Sequence, residues 1–269
     1  MPIYVFGQMI NSFDSEPGET YWSYESNENA DPTLGYVNNS IVSDPVIEGT
    51  GAMQLEYSAH NIESWGGYTK IYHLHPDMGG VWDWSAYDSV SFSYYNSVAQ
   101  SLADRVHLRL NLSDYGDVTD PSYTGLGEYY YSFHYILDND PGWNTINIPL
   151  IRNDDWAGAG FNLTGWAGDA GNGELDKDAI AGFHLEFSIS GGGDGDYSQG
   201  TIILDDFKLT GTLNALENPG FELTDALDDW FGWGNAAADG ASASVEEDAT
   251  VAHGGSKYAK ISTTGDAQW

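Results

Sequence analysis

Apolar and polar residues alternate along most of this chain and almost nowhere recur at the spacing of a helix. In RVHLRLNL (105–112), Val106, Leu108, Leu110 and Leu112 hold one parity, and Arg105, His107, Arg109 and Asn111 hold the other. A strand sends such sets to opposite faces. GFHLEFSIS (182–190) divides the same way, with Phe183, Leu185, Phe187 and Ile189 inward and His184, Glu186 and Ser188 outward. In DSVSFSYYN (88–96), Val90, Phe92 and Tyr94 point in, leaving Ser91, Ser93 and Tyr95 outside. Further strands are expected at AMQLEYS (52–58), GYTKIYHL (67–74), YYYSFHYIL (129–137), WNTINIPL (143–150) and GTIILDDFKLTG (200–211). Clusters of Gly, Asp, Asn and Ser such as SGGGDGDYSQG separate them and read as turns. Many short strands without helices predict an all-β protein, an antiparallel two-sheet jelly-roll β-sandwich.

The pattern begins a second time. Phe221 in NPGFELTDALDDWFGW precedes Trp230 by nine residues, as Phe13 in INSFDSEPGETYWSY precedes Trp22, and GGSKYAKIST echoes GTGAMQLEYS. Two domains are expected: residues 1–212 as one sandwich, and 213–269 as the N-terminal part of a second, partial β-sandwich. A half-sandwich leaves an open edge and a bare apolar face, so further domains or other subunits are expected to complete it.

Charge narrows the partners. The chain has 269 residues with 41 Asp and Glu against 8 Lys and Arg, a formal net charge of −33. Such a field argues against nucleic acid and anionic membrane. It favours neutral ligands or cations. With no cysteine, disulfides and thiolate metal sites are excluded. No apolar run reaches the ~20 residues that span a bilayer. MPIYVFGQMINSF lacks a basic n-region and a long apolar stretch, so it is not an evident signal peptide. A mature secreted or cell-surface chain is expected to look like this.

FDSE near the start, GTGAMQLEYS, WDWSAYDSVSFSYYNS, WNTINIPL, IAGFHLEFS and the closing GTIILDDFKLTG together resemble non-catalytic carbohydrate-binding modules of the jelly-roll, galactose-binding-like type. The hydrophobic–Asp-Asp–hydrophobic strand that ends the module is the most specific of these. The resemblance implies a polysaccharide partner held along a concave sheet. It also implies a structural calcium where the first strand meets the last, here with Asp14, Glu16 and Asp205 as ligands.

Only three arginines occur, yet Arg105 and Arg109 fall on one face of one strand with His107 between them. Arg, His, Tyr and Asn suit sugar hydroxyls, and aromatic rings suit pyranose faces. Arg105, His107, Arg109, Asn111, His184, Glu186 and Tyr95 are therefore candidates for a glycan groove, joined by the loop aromatics Trp65, Trp156 and Trp166. In the competing reading, Arg109 pairs with Glu186 and merely holds the sheet. A negative field would repel acidic glycans, so a neutral β-glucan-like chain is the expected ligand.

Two other functions stay open. One is a structural subunit of an extracellular or cell-surface assembly, joined by strand addition through 213–269. The other is a glycoside hydrolase, because GELDKDA places Glu174, Asp176 and Asp178 at alternate positions and resembles the acidic signature of laminarinase-type enzymes. The polar turn formers around GELDKDA favour a surface loop instead.

Overall fold

The computed structural model describes residues 6–14, 22–77, 79–116, 127–139, 141–155 and 158–211, and the backbone of 241–247 and 257–263. The chain divides into two compact units, Met1–Thr212 and Leu213–Trp269. In the second, the described residues form one antiparallel pair, β13 (Ala241–Glu247) with β14 (Lys257–Thr263).

The first unit is a jelly-roll β-sandwich of two antiparallel sheets. One sheet runs β3 (Tyr36–Val42), β4 (Ala52–His60), β12 (Tyr197–Gly211), β6 (Ser89–Val98), β9 (Asn144–Pro149), with β1 (Phe6–Asn11) paired to the far half of β12. The other runs β10 (Asn162–Leu163), β8 (Glu128–His134), β7 (Val106–Asp114), β11 (Ile180–Ser190), β5 (Gly66–Leu74), β2 (Ser23–Ser26).

The alternation read from the sequence sets the core. Leu108, Leu110, Leu112, Phe183, Leu185, Phe187 and Ile189 from the second sheet meet Met53, Leu55, Tyr57, Val90, Phe92, Ile202 and Leu204 from the first, all buried. Phe187 stacks on Tyr57 with ring centroids 4.2 Å apart and planes 7° from parallel, which ties the two sheets at one point.

The LDD of β12 marks a bulge. Asp206 adopts a positive φ of 53°, and the register with β6 shifts between Asp205 and Lys208. This turns the Asp205 carboxylate inward, where it is fully buried and accepts the N–H groups of Ile47, Glu48 and Asp206. Asp14 serves the same 47–51 loop, accepting the N–H groups of Thr50 and Gly51.

Candidate functional site: an aromatic shelf on a buried charge ladder

Pairing registers across the second sheet place side chains of opposite charge side by side on its outer face. Glu25 on β2 lies opposite Lys70 on β5, Lys70 opposite Glu186 on β11, Glu186 opposite Arg109 on β7, and Arg109 opposite Phe133 on β8. The charges close into two ion pairs, Lys70 Nζ to Glu25 at 3.3 Å and Arg109 Nη1 to Glu186 Oε1 at 2.9 Å. The four charges sum to zero, so among the described residues the paired strands bring none of the chain's excess negative charge to this face.

A second row runs Ser23, Tyr72, His184, Asn111, Tyr131 in the same register. Asn111 Nδ2 donates to Glu186 Oε2 and to the Tyr129 hydroxyl, at 2.9 and 2.8 Å. The Ser113 hydroxyl meets His184 Nε2 at 3.2 Å. These hydrogen bonds hold the ladder rigid.

Over the ladder lies a layer of rings. The Arg109 guanidinium sits 5.0 Å from the Phe133 centroid, 5.6 Å from Tyr131 and 5.7 Å from Trp166. Lys70 Nζ lies 5.3 Å from Tyr68, 5.8 Å from Tyr129 and 6.0 Å from Tyr72. Each cation is thus enclosed by π faces, whose negative potential favours it. His107 stacks on Phe133 at 3.9 Å, and His184 sits between Tyr72 and Tyr129 at 5.4 and 5.1 Å. Burial, with Arg109 beside it, lowers His107 to about 3. Burial, with Lys70 nearby, holds His184 well below the usual imidazole range. Both rings are neutral at physiological pH.

The exposed part of this face is aromatic. Trp65 is 55% exposed, Tyr135 63% and Trp166 63%. Local structure explains two of them. Glu63 and Gly66 exchange backbone hydrogen bonds at 2.7 and 2.9 Å, leaving Ser64 and Trp65 at the tip of a two-residue turn. Gly66 has φ of 132°, and a Cβ there would lie 2.0 Å from the Ile189 carbonyl oxygen, so only glycine can start β5 and raise Trp65 beside Tyr68. Trp166 rides a turn in which Thr164 donates its N–H to the Tyr129 carbonyl and its hydroxyl to the Ala167 carbonyl.

Most of the expected groove residues meet here, in an arrangement the sequence did not foresee. Arg109, His107, Asn111, His184 and Glu186 share the outer face, and Trp65 and Trp166 flank it. The polar groups lie beneath the rings instead of lining an open trough: His107, Asn111, His184 and Glu186 are all buried. Arg109 pairs with Glu186, as the competing reading had it, and also lies against Tyr131, Phe133 and Trp166.

Two candidates fall elsewhere. Tyr95 belongs to β6, which hydrogen-bonds to β12 and β9, so it lies on the other sheet, against Trp143 at 5.7 Å. Strand 88–96 therefore does not share the outer face of 105–112 and 183–190. Arg105, just before β7, is drawn to the turn after β11, donating Nε to the Ser190 carbonyl and pairing with Asp194 and Asp196 at 3.4 and 3.6 Å. Trp156 lies outside the described residues.

Of the expected calcium ligands, Glu16 also lies outside the described residues. Asp14 and Asp205 instead accept backbone N–H groups. The described acids that gather closely enough to hold a metal ion are Asp114, Glu128 and Asp176, with one ligand atom from each within 4.8 Å of the others. Glu174 and Asp176 sit in the loop before β11, and Asp178 lies in the 3-10 turn Lys177–Ala179 that follows.

Lys70, Glu25, Tyr68, Tyr72, Tyr129, Tyr131, Phe133 and Tyr135 were missed as members of this face. Alternation in GYTKIYHL and YYYSFHY already put all of these but Glu25 on the outer parity. Strand adjacency was the missing term.

The first unit is thus an antiparallel β-sandwich with one sheet face paved by rings over hydrogen-bonding groups. No family model matches the sequence, and no curated protein does. Among solved structures, the chain is similar to the family 11 carbohydrate-binding module of the cellulosomal cellulase Lic26A-Cel5E of Clostridium thermocellum. That likeness has 22% identity and a TM-score of 0.50, over 77% of this chain and 96% of that one. The family 11 module from Clostridium thermocellum in complex with a β-1,3-1,4-mixed-linked tetrasaccharide matches with 22% identity and a TM-score of 0.51, over 76% and 95%. The likeness is one of fold: Met1–Thr212 has the β-sandwich of these modules.

Proposed function

We propose that this chain is a secreted or cell-surface, non-catalytic polysaccharide-binding protein that lays a neutral β-glucan-like chain across the outer face of the β2–β10 sheet. The observation that carries this reading is the neutral aromatic shelf, with exposed Trp65 and Trp166 over a charge ladder that sums to zero. Pyranose rings present apolar C–H faces that stack on such rings, and Tyr and Trp edges hydrogen-bond the hydroxyls. A fold neighbour in complex with a β-1,3-1,4-mixed-linked tetrasaccharide supports the same ligand class.

The non-catalytic reading has its own support. Glycoside cleavage needs two free carboxyls flanking the bond. Here Glu186 is tied to Arg109 and Asn111, and Glu25 accepts from Tyr68 and pairs with Lys70.

Affinity electrophoresis and calorimetry on mixed-linked β-glucan, xylan, pectin and alginate test the proposal. Retardation by the neutral glucan is expected, with Trp166→Ala weakening it about 10- to 30-fold. This follows from some 60–80 Å² of ring covered by sugar at about 25 cal/mol/Å². No retardation on any glycan, or a Trp166→Ala/Trp65→Ala double variant that binds like wild type, would remove it.

A further inference from the structure

The end of the β7–β8 pair holds a charge problem that the glycan shelf does not explain. Asp114 and Glu128 face each other directly across the two strands, and both are almost wholly buried, at 0% and 2% exposure. Like charges opposed across strands are destabilising, and burying them is far costlier unless a positive charge answers them. Asp176 adds a third carboxylate from the loop before β11.

Among the described residues, no Lys or Arg forms an ion pair with any of the three. Arg152, which reaches the same loop through the Gly173 carbonyl, is paired with Asp154 instead.

The available donors do not satisfy the cluster. Asp114 Oδ2 accepts the Asp176 N–H at 3.1 Å, Glu128 Oε1 the Gly173 N–H at 2.8 Å, and Asp176 Oδ2 the Asn172 side-chain amide at 3.0 Å, while the Gly116 N–H also reaches the Asp114 carboxylate and the Tyr130 hydroxyl approaches Glu128 Oε2 at 3.5 Å. Asp114 Oδ1 is buried with no hydrogen-bond partner. An unpartnered carboxylate oxygen in a fully buried side chain calls for a ligand, a proton or a cation.

We propose that Asp114, Glu128 and Asp176 form a site for a hard divalent cation of the calcium class, distinct from the Asp14 and Asp205 position. An all-oxygen donor set without His or Cys selects such ions over zinc or copper. The site ties the open end of β7–β8 to the 163–176 loop. That loop is already laid on β8 by Thr164 N–H to the Tyr129 carbonyl and Asp169 N–H to the Gly127 carbonyl, and it carries Trp166.

The full chain, stripped with chelator and followed by thermal unfolding with no glycan present, tests the site. At calcium about 100-fold above its Kd, the melting temperature is expected to rise by about 5–10 °C. Magnesium at equal concentration should do less, because it demands a tighter octahedral shell. Asp114→Asn and Asp176→Asn should each lose most of the rise, while Asp14→Asn keeps it. Because Asp114→Asn mimics the protonated acid, it should fold even where the cation is lost. Terbium luminescence sensitised by neighbouring tyrosines gives a second readout, expected to vanish in Asp176→Asn. A calcium response equal in Asp114→Asn and wild type, which would place the ion elsewhere, or none in wild type, overturns the proposal. As no glycan is involved, that failure leaves the shelf untouched.

Discussion

Breaking the Arg109–Glu186 pair tests whether the outer face stands on buried charge. Arg109→Met keeps most of the apolar stem and removes the guanidinium. Glu186 then stays buried, its side chain 9% exposed, with Asn111 Nδ2 as its remaining donor. At the observed 2.9 Å, two unit charges attract by about 6 kcal/mol at an effective dielectric of about 20, before desolvation is subtracted. Removing one partner of a buried pair costs about 3–5 kcal/mol. The Arg109 side chain is 18% exposed, which screens part of that, so about 3 kcal/mol is expected. For a unit of this size that is about 6–12 °C in melting temperature. Glu186→Gln should cost about as much, and the double variant clearly less than the sum, with a coupling of about 2 kcal/mol in a double-mutant cycle. Guanidinium denaturation followed by near-ultraviolet circular dichroism measures both, since the rings that the cations hold are among those that report folding. Single losses below about 1 kcal/mol with coupling below about 0.5 kcal/mol would describe a solvated surface pair. The charge ladder would then be incidental.

Two further outcomes are expected. His107 titrates near 3 in the folded chain against about 6.5 unfolded, and His134 near 4, both lowered by burial. Their folded pKa values are depressed, so the unfolded chain takes up protons first, and stability is lost as pH falls below about 6.5. Between pH 7 and pH 5 each costs about 2 kcal/mol; equal denaturation midpoints at the two pH values would show that these rings are hydrated. In the core, Phe187→Ala removes a fully buried ring stacked on Tyr57 and should cost about 3–5 kcal/mol by the same denaturation. A loss under about 1 kcal/mol would mean that the two sheets are not joined there.

Local chemistry wrote much of this molecule into its sequence. Alternation at 52–58, 67–74, 88–96, 105–112, 182–190 and 200–211 determined six strands and their buried faces, because a side-chain period of two leaves no choice once one face is apolar. Edge strands were harder to read. β3, YVNNSIV, pairs only with β4 and keeps Asn38, Asn39 and Ser40 at least partly exposed, so it shows no alternation to find. The short β2 and β10 follow the same rule. Parity could place Arg109, His107 and Glu186 on an outer face, but not say which strands lie beside them. Backbone pairing across residues far apart in the chain set Glu25, Lys70, Glu186 and Arg109 in one row, sent Tyr95 to the opposite sheet, and brought Asp176 to Asp114 and Glu128. Charge in the sequence is a sum, whereas charge on a face depends on neighbours. A chain of net charge −33 carries a neutral shelf because the strand order of one sheet gathers two of its few cations beside two of its many acids.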